Sequence, residues 1–289
     1  MISRILEYES GCLTLQDCTY VISSVWNLEG AEVSIPPHCV LSFEGGKIKN
    51  GVLVGSDTLI VASPSAHIFE EVSLKGTWAG REGFAEWFGA RGDGSFDDAP
   101  ALNAIFSSPL RRVCLQNKTY WVGSQKPGSN HVGLEVSVPK QITGLSNYNT
   151  GTRIKSRENV SLDVLLLISC SCVELSNVRI EGTKDVRDLV ATHTENTDYG
   201  FVSKLHFRDV LLSMCSGTCL KLATFLSTLK RVSCAFCHTT GGAGTTAWVV
   251  NSKGILISRC LLRKPDGRMS DKFLQSQNCV ISHSTVDFA

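Results

Sequence analysis

The stretch Trp87-Phe88-Gly89-Ala90-Arg91-Gly92-Asp93-Gly94-Ser95-Phe96-Asp97-Asp98-Ala99-Pro100-Ala101-Leu102-Asn103-Ala104-Ile105-Phe106 joins a turn to the start of a helix. Its glycines allow tight turns with positive φ. Asp97 or Asp98 is the expected N-cap, because Pro100 follows in the first helical turn. The apolar residues that share one helical face are Leu102, Ile105 and Phe106. We predict a short helix near 99 to 107 that covers the end of a β-structure.

An internal repeat begins at residue 173, with the pattern apolar-x-apolar-x-x-small-x-apolar. First positions are separated by 32, 24, 26 and 24 residues, and they are Val173, Leu205, Leu229, Ile255 and Cys279. This spacing is typical of one coil of a parallel solenoid. Arg231 interrupts the third copy, so we expect it to point outward at a bend. The predicted interior positions are Val173, Leu175, Val178, Leu205, Val210, Ile255, Ile257 and Ile281.

The glycine-rich stretch resembles the entry segment of the pectate-lyase-like right-handed parallel β-helix superfamily, in which Gly-Asp-Gly-x-x-Asp-Asp leads into a capping helix. The residues before it, from Ile35 to Gly51 and from Leu74 to Trp78, resemble the lead-in of phage tailspike-like proteins of gut Bacteroides and their phages. The resemblance implies an all-β fold, a right-handed parallel β-helix (pectin-lyase-like solenoid). It also implies a β-rich lead-in segment at 1–85 and a β-helix domain with its capping helix at 86–289.

Charge and hydropathy exclude some partners. Lysine and arginine total 28 against 27 acidic residues, so nothing favours binding to nucleic acid or to an anionic membrane surface. The first residues lack the apolar core of a signal peptide, and the longest apolar run, Val164 to Ile168, is too short to span a bilayer. We therefore expect a protein made in the cytoplasm, whose 12 cysteines are free thiols.

The first repeat interval is the longest, and its surplus predicts an excursion between Glu181 and Gly200 that is rich in ionisable residues. A glycosidase needs two carboxyl groups at the scissile bond, whereas a polysaccharide lyase needs a base and a cation. The alternative is a solvated polar loop. The candidate catalytic residues are Asp198, Glu195, Asp185 and Asp188, and the candidate substrate-binding residues are Tyr199, Arg187, Lys184 and His193.

Metal and cofactor signals are weak. Cys215-x-x-x-Cys219 and Cys234-x-x-Cys237-His238 have spacings compatible with zinc, but Cys234 lies at an inward repeat position, where packing is a sufficient explanation. No motif indicates a metal or another cofactor. Trp121, Tyr148 and Tyr199 are aromatic candidates for stacking on sugars.

Two functional classes follow from the resemblance, and a third is compatible with it. The first is a phage tailspike-like or tail-associated protein of the virion that binds bacterial surface polysaccharide for host adhesion, with or without depolymerase activity. The second is a free-standing, extracellular polysaccharide lyase or glycoside hydrolase of a gut bacterium, and the third is a structural virion component. We also expect a homotrimer, because the last repeat ends as an uncovered strand, and contact with other virion tail proteins.

Overall fold

The computed structural model describes residues 2–5, 12–80, 82–129, 131–145, 151–193, 202–237 and, further on, the short strands β23 to β28. The elements, in chain order, are β1 (Ile2–Ile5), β2 (Thr19–Ile22), β3 (Val25–Asn27), β4 (Glu32–Ser34), β5 (Val40–Phe43), β6 (Lys47–Val61), β7 (Phe69–Trp78), β8 (Glu82–Phe84), a 3-10 helix (Ala85–Phe88), β9 (Asp93–Asp97), α1 (Ala99–Ser107), β10 (Arg112–Leu115), β11 (Thr119–Val122), β12 (Val132–Val136), β13 (Lys140–Gly144), β14 (Arg153–Ser156), β15 (Leu162–Ile168), β16 (Val173–Glu181), β17 (Val186–Ala191), β18 (Val202–Ser203), β19 (His206–Cys215), β20 (Leu220–Leu222), β21 (Thr224–Phe225), β22 (Thr228–Cys237), β23 (Ala247–Val250), β24 (Leu256–Ser258), β25 (Leu261–Leu262), β26 (Asp271–Leu274), β27 (Val280–Ser282) and β28 (Thr285–Val286).

Every strand pairing in the described residues is parallel. Strands β1 to β7 form a seven-stranded sheet, and a 13-stranded sheet runs along the order β27-β24-β22-β19-β16-β13-β10-β8. A six-stranded sheet has the order β12-β15-β17-β20-β23-β26, and β18 pairs with β21. Apolar side chains from these layers form a core that continues from the first sheet into the later ones. No helix in the described part of the chain is long and apolar enough to cross a bilayer.

The prediction of an all-β, right-handed parallel β-helix was therefore wrong. The chain forms several parallel sheets curled as half-barrels, an α/β-type arrangement with few helices. A recurring apolar spacing requires parallel pairing between successive copies, but it does not set how the resulting sheets curve or close. The repeat therefore predicted the strands and their direction better than it predicted the architecture.

The buried repeat positions are largely those predicted. Val173, Leu175, Val178, Leu205 and Val210 are all buried. Ile255 lies outside the described residues, as do the side chains of Ile257 and Ile281.

The third repeat copy was assigned in the wrong register. Phe207 pairs with Leu229, whereas the sequence pattern had aligned Phe207 with Arg231. Arg231 instead has φ +51 in the middle of β22 and forms an ion pair with Asp209, which has φ +56 in β19. Both residues are left-handed within long strands, and the Arg231 side chain is 40% exposed, which agrees with its predicted outward position.

Helix α1 begins and ends where the sequence predicted, and Leu102, Ile105 and Phe106 are fully buried beneath it. Asp98 is the N-cap residue, but its side chain does not cap the helix. The Ala99 amide donates to the carboxylate of Asp97 at 3.1 Å instead. The two aspartates therefore have different roles: Asp97 satisfies a helix amide, and Asp98 holds the preceding turn.

Candidate functional site

The eight sequence-predicted site residues separate into three groups. Glu195, Asp198 and Tyr199 lie outside the described residues. Lys184 and Asp185 line a surface cavity between β16 and β17. Of the remaining three, Arg187 and Asp188 lie on β17, and His193 lies two residues beyond its end.

The cavity has a volume of about 440 Å³ and is formed by residues from three successive layers: two turns and the end of β19. One layer provides Glu158 and Asn159, the next provides Thr183 to Asp185, and the third provides Met214 and Cys215. Glu158 was not predicted from the sequence. It follows β14 on a short turn, and nothing in the sequence signals that this turn lies against Asp185.

Close backbone packing positions the middle turn. The Gly182 amide donates to the Ser213 carbonyl at 3.0 Å, and a Cβ on Gly182 would lie 2.2 Å from the Met214 carbonyl oxygen. A side chain at position 182 would therefore push the two layers apart. Within the turn, the Asp185 amide donates to Thr183 Oγ1 at 3.2 Å, which orients the residues that face the cavity.

A second backbone contact holds the Asp185 carboxylate beside Glu158. The Asn159 amide donates to Asp185 Oδ2 at 3.1 Å, and Asn159 has φ +64. The Leu162 amide donates to the Asp185 carbonyl at 3.0 Å, which fixes the main chain of the same residue. Because Glu158 is the chain neighbour of Asn159, two carboxylates from adjacent layers meet in one cavity that also contains Lys184.

Cys215 closes the cavity but is not a nucleophile. Burial raises the pKa of its thiol to about 12, so the thiol stays protonated at neutral pH. Met214 is exposed beside it and provides an apolar wall. The chemistry available in the cavity is therefore that of the two carboxylates and the lysine.

A row of side chains at matching register positions on four strands leads to the cavity. Trp121 on β11, Lys155 on β14, Glu181 on β16 and Ser213 on β19 occupy successive register positions. The Lys155 ammonium lies 5.2 Å from the Trp121 ring centroid and 3.8 Å from Glu181 Oε2. The row combines an aromatic face with a cation, which are the groups that bind a sugar ring and its acidic substituent.

The row also carries two polar atoms without a hydrogen-bond partner among the described residues. Trp121 Nε1 and Ser213 Oγ are buried and have no hydrogen-bond partner in the described part of the chain. Glu181 is almost fully buried, and it forms ion pairs with Arg179 and Lys155. Buried polar atoms are ordinarily hydrogen-bonded, so the two unused groups favour a polar ligand along this row.

Asp188, predicted as catalytic, is instead part of a buried ion cluster. Its carboxylate accepts the Thr218 amide at 3.1 Å and lies 3.7 Å from Lys221 Nζ and 3.3 Å from Arg187 Nε. Burial raises the pKa of Asp188, although both cations oppose that shift. Asp188 and Lys221 are each about 95% buried or more, so their charges compensate each other inside the sheet, and neither lines the cavity.

His193 lies in the same buried region and makes the free energy of unfolding depend on pH. Burial, with a smaller contribution from Lys221, lowers the pKa of His193 from 6.5 to about 4. The unfolded chain therefore binds this proton more readily, so folding stability is full above about pH 6.5 and decreases as the pH falls towards 4. Between about pH 6.5 and pH 4, the free energy of unfolding of His193→Gln should fall by on the order of 2 kcal/mol less than that of wild type. The measurement is urea unfolding at several pH values. A pH dependence identical to that of wild type would contradict the shift.

The predicted zinc spacing does not gather ligands in the described residues. Cys219 is disulfide-bonded, which corrects the expectation of free thiols at that position, while the seven other cysteines with described side chains are free. No group of three or more His, Cys, Asp or Glu side chains that could hold a metal ion occurs in the described part of the chain. Cys234, Cys237 and His238 have no described side chains.

A second cavity, of about 470 Å³, lies beside α1, and two of its carboxylates already have partners within the protein. Its carboxylates include Asp97, which already accepts the amides of Ala99 and Gly123. Of its other polar side chains, Glu70 forms an ion pair with Lys47, and His67 contacts the Phe69 carbonyl at 3.0 Å. Glu71 and Ser73 also line this cavity, beside the aromatic rings of Phe69, Phe88 and Phe96.

No family model matches the chain, and no curated protein matches it. Among solved structures it is similar to a protein described as a "putative glycosyl hydrolase" from Parabacteroides merdae ATCC 43184, with a TM-score of 0.47 and 11% sequence identity over 71% of this chain and 95% of that one.

The predicted membership of the pectate-lyase-like β-helix superfamily, and the predicted likeness to phage tailspikes, are therefore corrected. No family model and no curated protein supports that membership, and the similar solved structure named above is described as a "putative glycosyl hydrolase". The short Gly-Asp-Gly and Asp-Asp motif on which the resemblance relied has a local explanation, because a buried aspartate and a turn account for it. Association with bacterial surface polysaccharide and a homotrimer stay predictions.

Proposed function

We propose that the protein is a glycoside hydrolase that cleaves an acidic polysaccharide at the cavity between β16 and β17. The observation that carries the proposal is the meeting of Glu158 and Asp185, from adjacent layers, in a cavity of about 440 Å³. Hydrolysis of a glycosidic bond uses two carboxyl groups, one to protonate the leaving oxygen and one to act from the opposite side of the sugar.

The two carboxyl groups differ in a way that suits these two roles. Asp185 is oriented by the Asn159 amide, so it serves as the fixed group that attacks the anomeric carbon or activates water. Glu158 is exposed and has room to reach the glycosidic oxygen, so it serves as the proton donor. Lys184 pairs with an acidic group of the substrate within the same cavity.

The row from Trp121 to Ser213 extends the binding surface beyond the cavity. Each of its later members lies close in the chain to a cavity residue: Lys155 precedes Glu158, Glu181 precedes Thr183, and Ser213 precedes Met214. A linear glycan that fills the cavity would therefore continue over Lys155 and the Trp121 ring.

Trp121→Ala tests the row as a set of sugar subsites. We expect KM for a long acidic polysaccharide to rise roughly 3- to 10-fold, because stacking on the ring is lost, while kcat changes little. Trp78→Ala, which removes a half-exposed tryptophan of β7, is the matched control. Equal effects of both variants on KM would show that the row does not contact substrate.

A polysaccharide lyase is the second candidate function. The presence of Lys184 in the cavity favours it, because a lyase needs a cation beside the acidic group and a base for the adjacent proton. The products distinguish the two reactions: hydrolysis adds water and gives saturated ends, whereas elimination gives an unsaturated sugar that absorbs ultraviolet light. We expect new reducing ends to appear without a gain in ultraviolet absorbance.

A further inference from the structure

Cys18 and Cys39 form a close thiol pair at the N-terminal end of the seven-stranded sheet. Cys18 directly precedes β2 and Cys39 directly precedes β5, and these strands pair in parallel with Thr19 opposite Val40. The Val40 amide donates to the Cys18 carbonyl at 2.9 Å, so the pairing continues to the two cysteines. Paired positions on neighbouring strands lie about 5 Å apart, within the range of Cα separations that a disulfide spans.

The side chains of the pair point to the same place. Both thiols donate to one acceptor, the Leu15 carbonyl oxygen, each at 3.3 Å. The Tyr20 hydroxyl donates to the same oxygen at 2.8 Å, so three donors compete for it. Both cysteines belong to the buried core, where a disulfide would occupy the space that the two thiols already fill.

We propose that Cys18 and Cys39 are a disulfide site, which links β2 to β5 when the protein meets an oxidising environment. When the disulfide forms, the two thiols no longer donate to the Leu15 carbonyl oxygen, and the stronger hydrogen bond from the Tyr20 hydroxyl remains. It also closes the loop that contains β3 and β4, which lowers the entropy of the unfolded chain. The proposal is independent of glycan cleavage, although an enzyme that acts on external polysaccharide works where such bonds persist.

With glutathione disulfide as oxidant, the reaction balances in two exchanges. One cysteine loses its proton and attacks glutathione disulfide, which gives a mixed disulfide and one glutathione thiolate. The second cysteine loses its proton and displaces the other glutathione. Two S–H bonds are replaced by one S–S bond, and the two electrons leave in two molecules of reduced glutathione.

Burial makes the reaction slow at neutral pH. The pKa of Cys39 is raised, first by burial and also by the neighbouring Cys18 thiol, so little of it is thiolate. We therefore expect oxidation over hours and faster oxidation as the pH rises.

To test the proposal, the full chain is incubated with glutathione disulfide or, as the reduced reference, with dithiothreitol. Both samples are then digested without reduction. We expect mass spectrometry to find a peptide pair joined through Cys18 and Cys39 only after oxidation. Oxidised wild type should also gain roughly 5 °C in Tm, whereas oxidised Cys39→Ser should not. Cys114→Ser, at a half-buried thiol on β10, is the matched control and should keep the gain.

Two outcomes would overturn the proposal. One is stable attachment of glutathione to either residue without the cross-link, and the other is a cross-link from either residue to Cys12. Because the linked peptide is measured in wild type, poor folding of a variant would not affect this test.

Discussion

Replacing either cavity carboxylate by its amide should lower kcat at least about 100-fold, because the variant loses a proton donor or the group that acts on the anomeric carbon. Asp185→Asn should do so without a large loss of stability. The amide oxygen can still accept the Asn159 N–H, and the side chain is only partly buried. The measurement is release of reducing ends at saturating substrate, together with Tm.

Two variants make this comparison specific. Glu158→Gln should match Asp185→Asn in kcat, although Glu158 was not among the sequence-predicted residues. Asp57→Asn alters an exposed carboxylate of β6 that contacts His38, and it should leave kcat unchanged. Full activity in both cavity variants would place the chemistry elsewhere in the chain.

Asp98→Ala should cause the largest loss of stability among the single changes considered. The Asp98 side chain is fully buried and accepts three backbone amides, those of Arg91 at 2.7 Å, Gly92 at 3.3 Å and Trp121 at 3.0 Å. Alanine would leave these donors without an acceptor, and each buried unsatisfied amide costs about 1 to 3 kcal/mol. We expect unfolding free energy to fall by roughly 3 to 6 kcal/mol, measured by chemical denaturation.

Glu82→Ala provides the control for that measurement. It removes an exposed ion pair with Arg112 on neighbouring strands, and surface pairs contribute about 0 to 1 kcal/mol. Asp98→Asn should lie between the two variants, because its amide retains one acceptor oxygen. A loss for Asp98→Ala no larger than that for Glu82→Ala would contradict the role assigned to this residue.

Local features of the fold could be predicted from the sequence. Helix α1 followed from capping residues and from the spacing of Leu102, Ile105 and Phe106. The buried positions of β16 and β19 followed from alternation of apolar residues. The left-handed residues inside the long strands, such as Asp209 and Arg231, could not be predicted in this way, because the apolar alternation carries no information on backbone φ.

The site was only half predictable, because its residues come from different layers. A local concentration of charge identified Lys184 and Asp185, which do line the cavity. The same charged segment of the sequence includes Asp188, but this carboxylate is paired inside the sheet with Lys221 and Arg187. Glu158 carries no local signal, and only the register between β14 and β16 brings its turn to Asp185.

The most direct test of the proposed function is a depolymerisation assay on a panel of purified polysaccharides. The panel should contain polygalacturonate, alginate and hyaluronate as acidic chains, and a neutral β-glucan for comparison. The proposal predicts that wild type shortens at least one acidic chain with new saturated reducing ends, and that the Glu158→Gln, Asp185→Asn double variant, folded to the same Tm, does not. Shortening of the same chain by the double variant at the wild-type rate, or shortening of the neutral glucan alone, would contradict it.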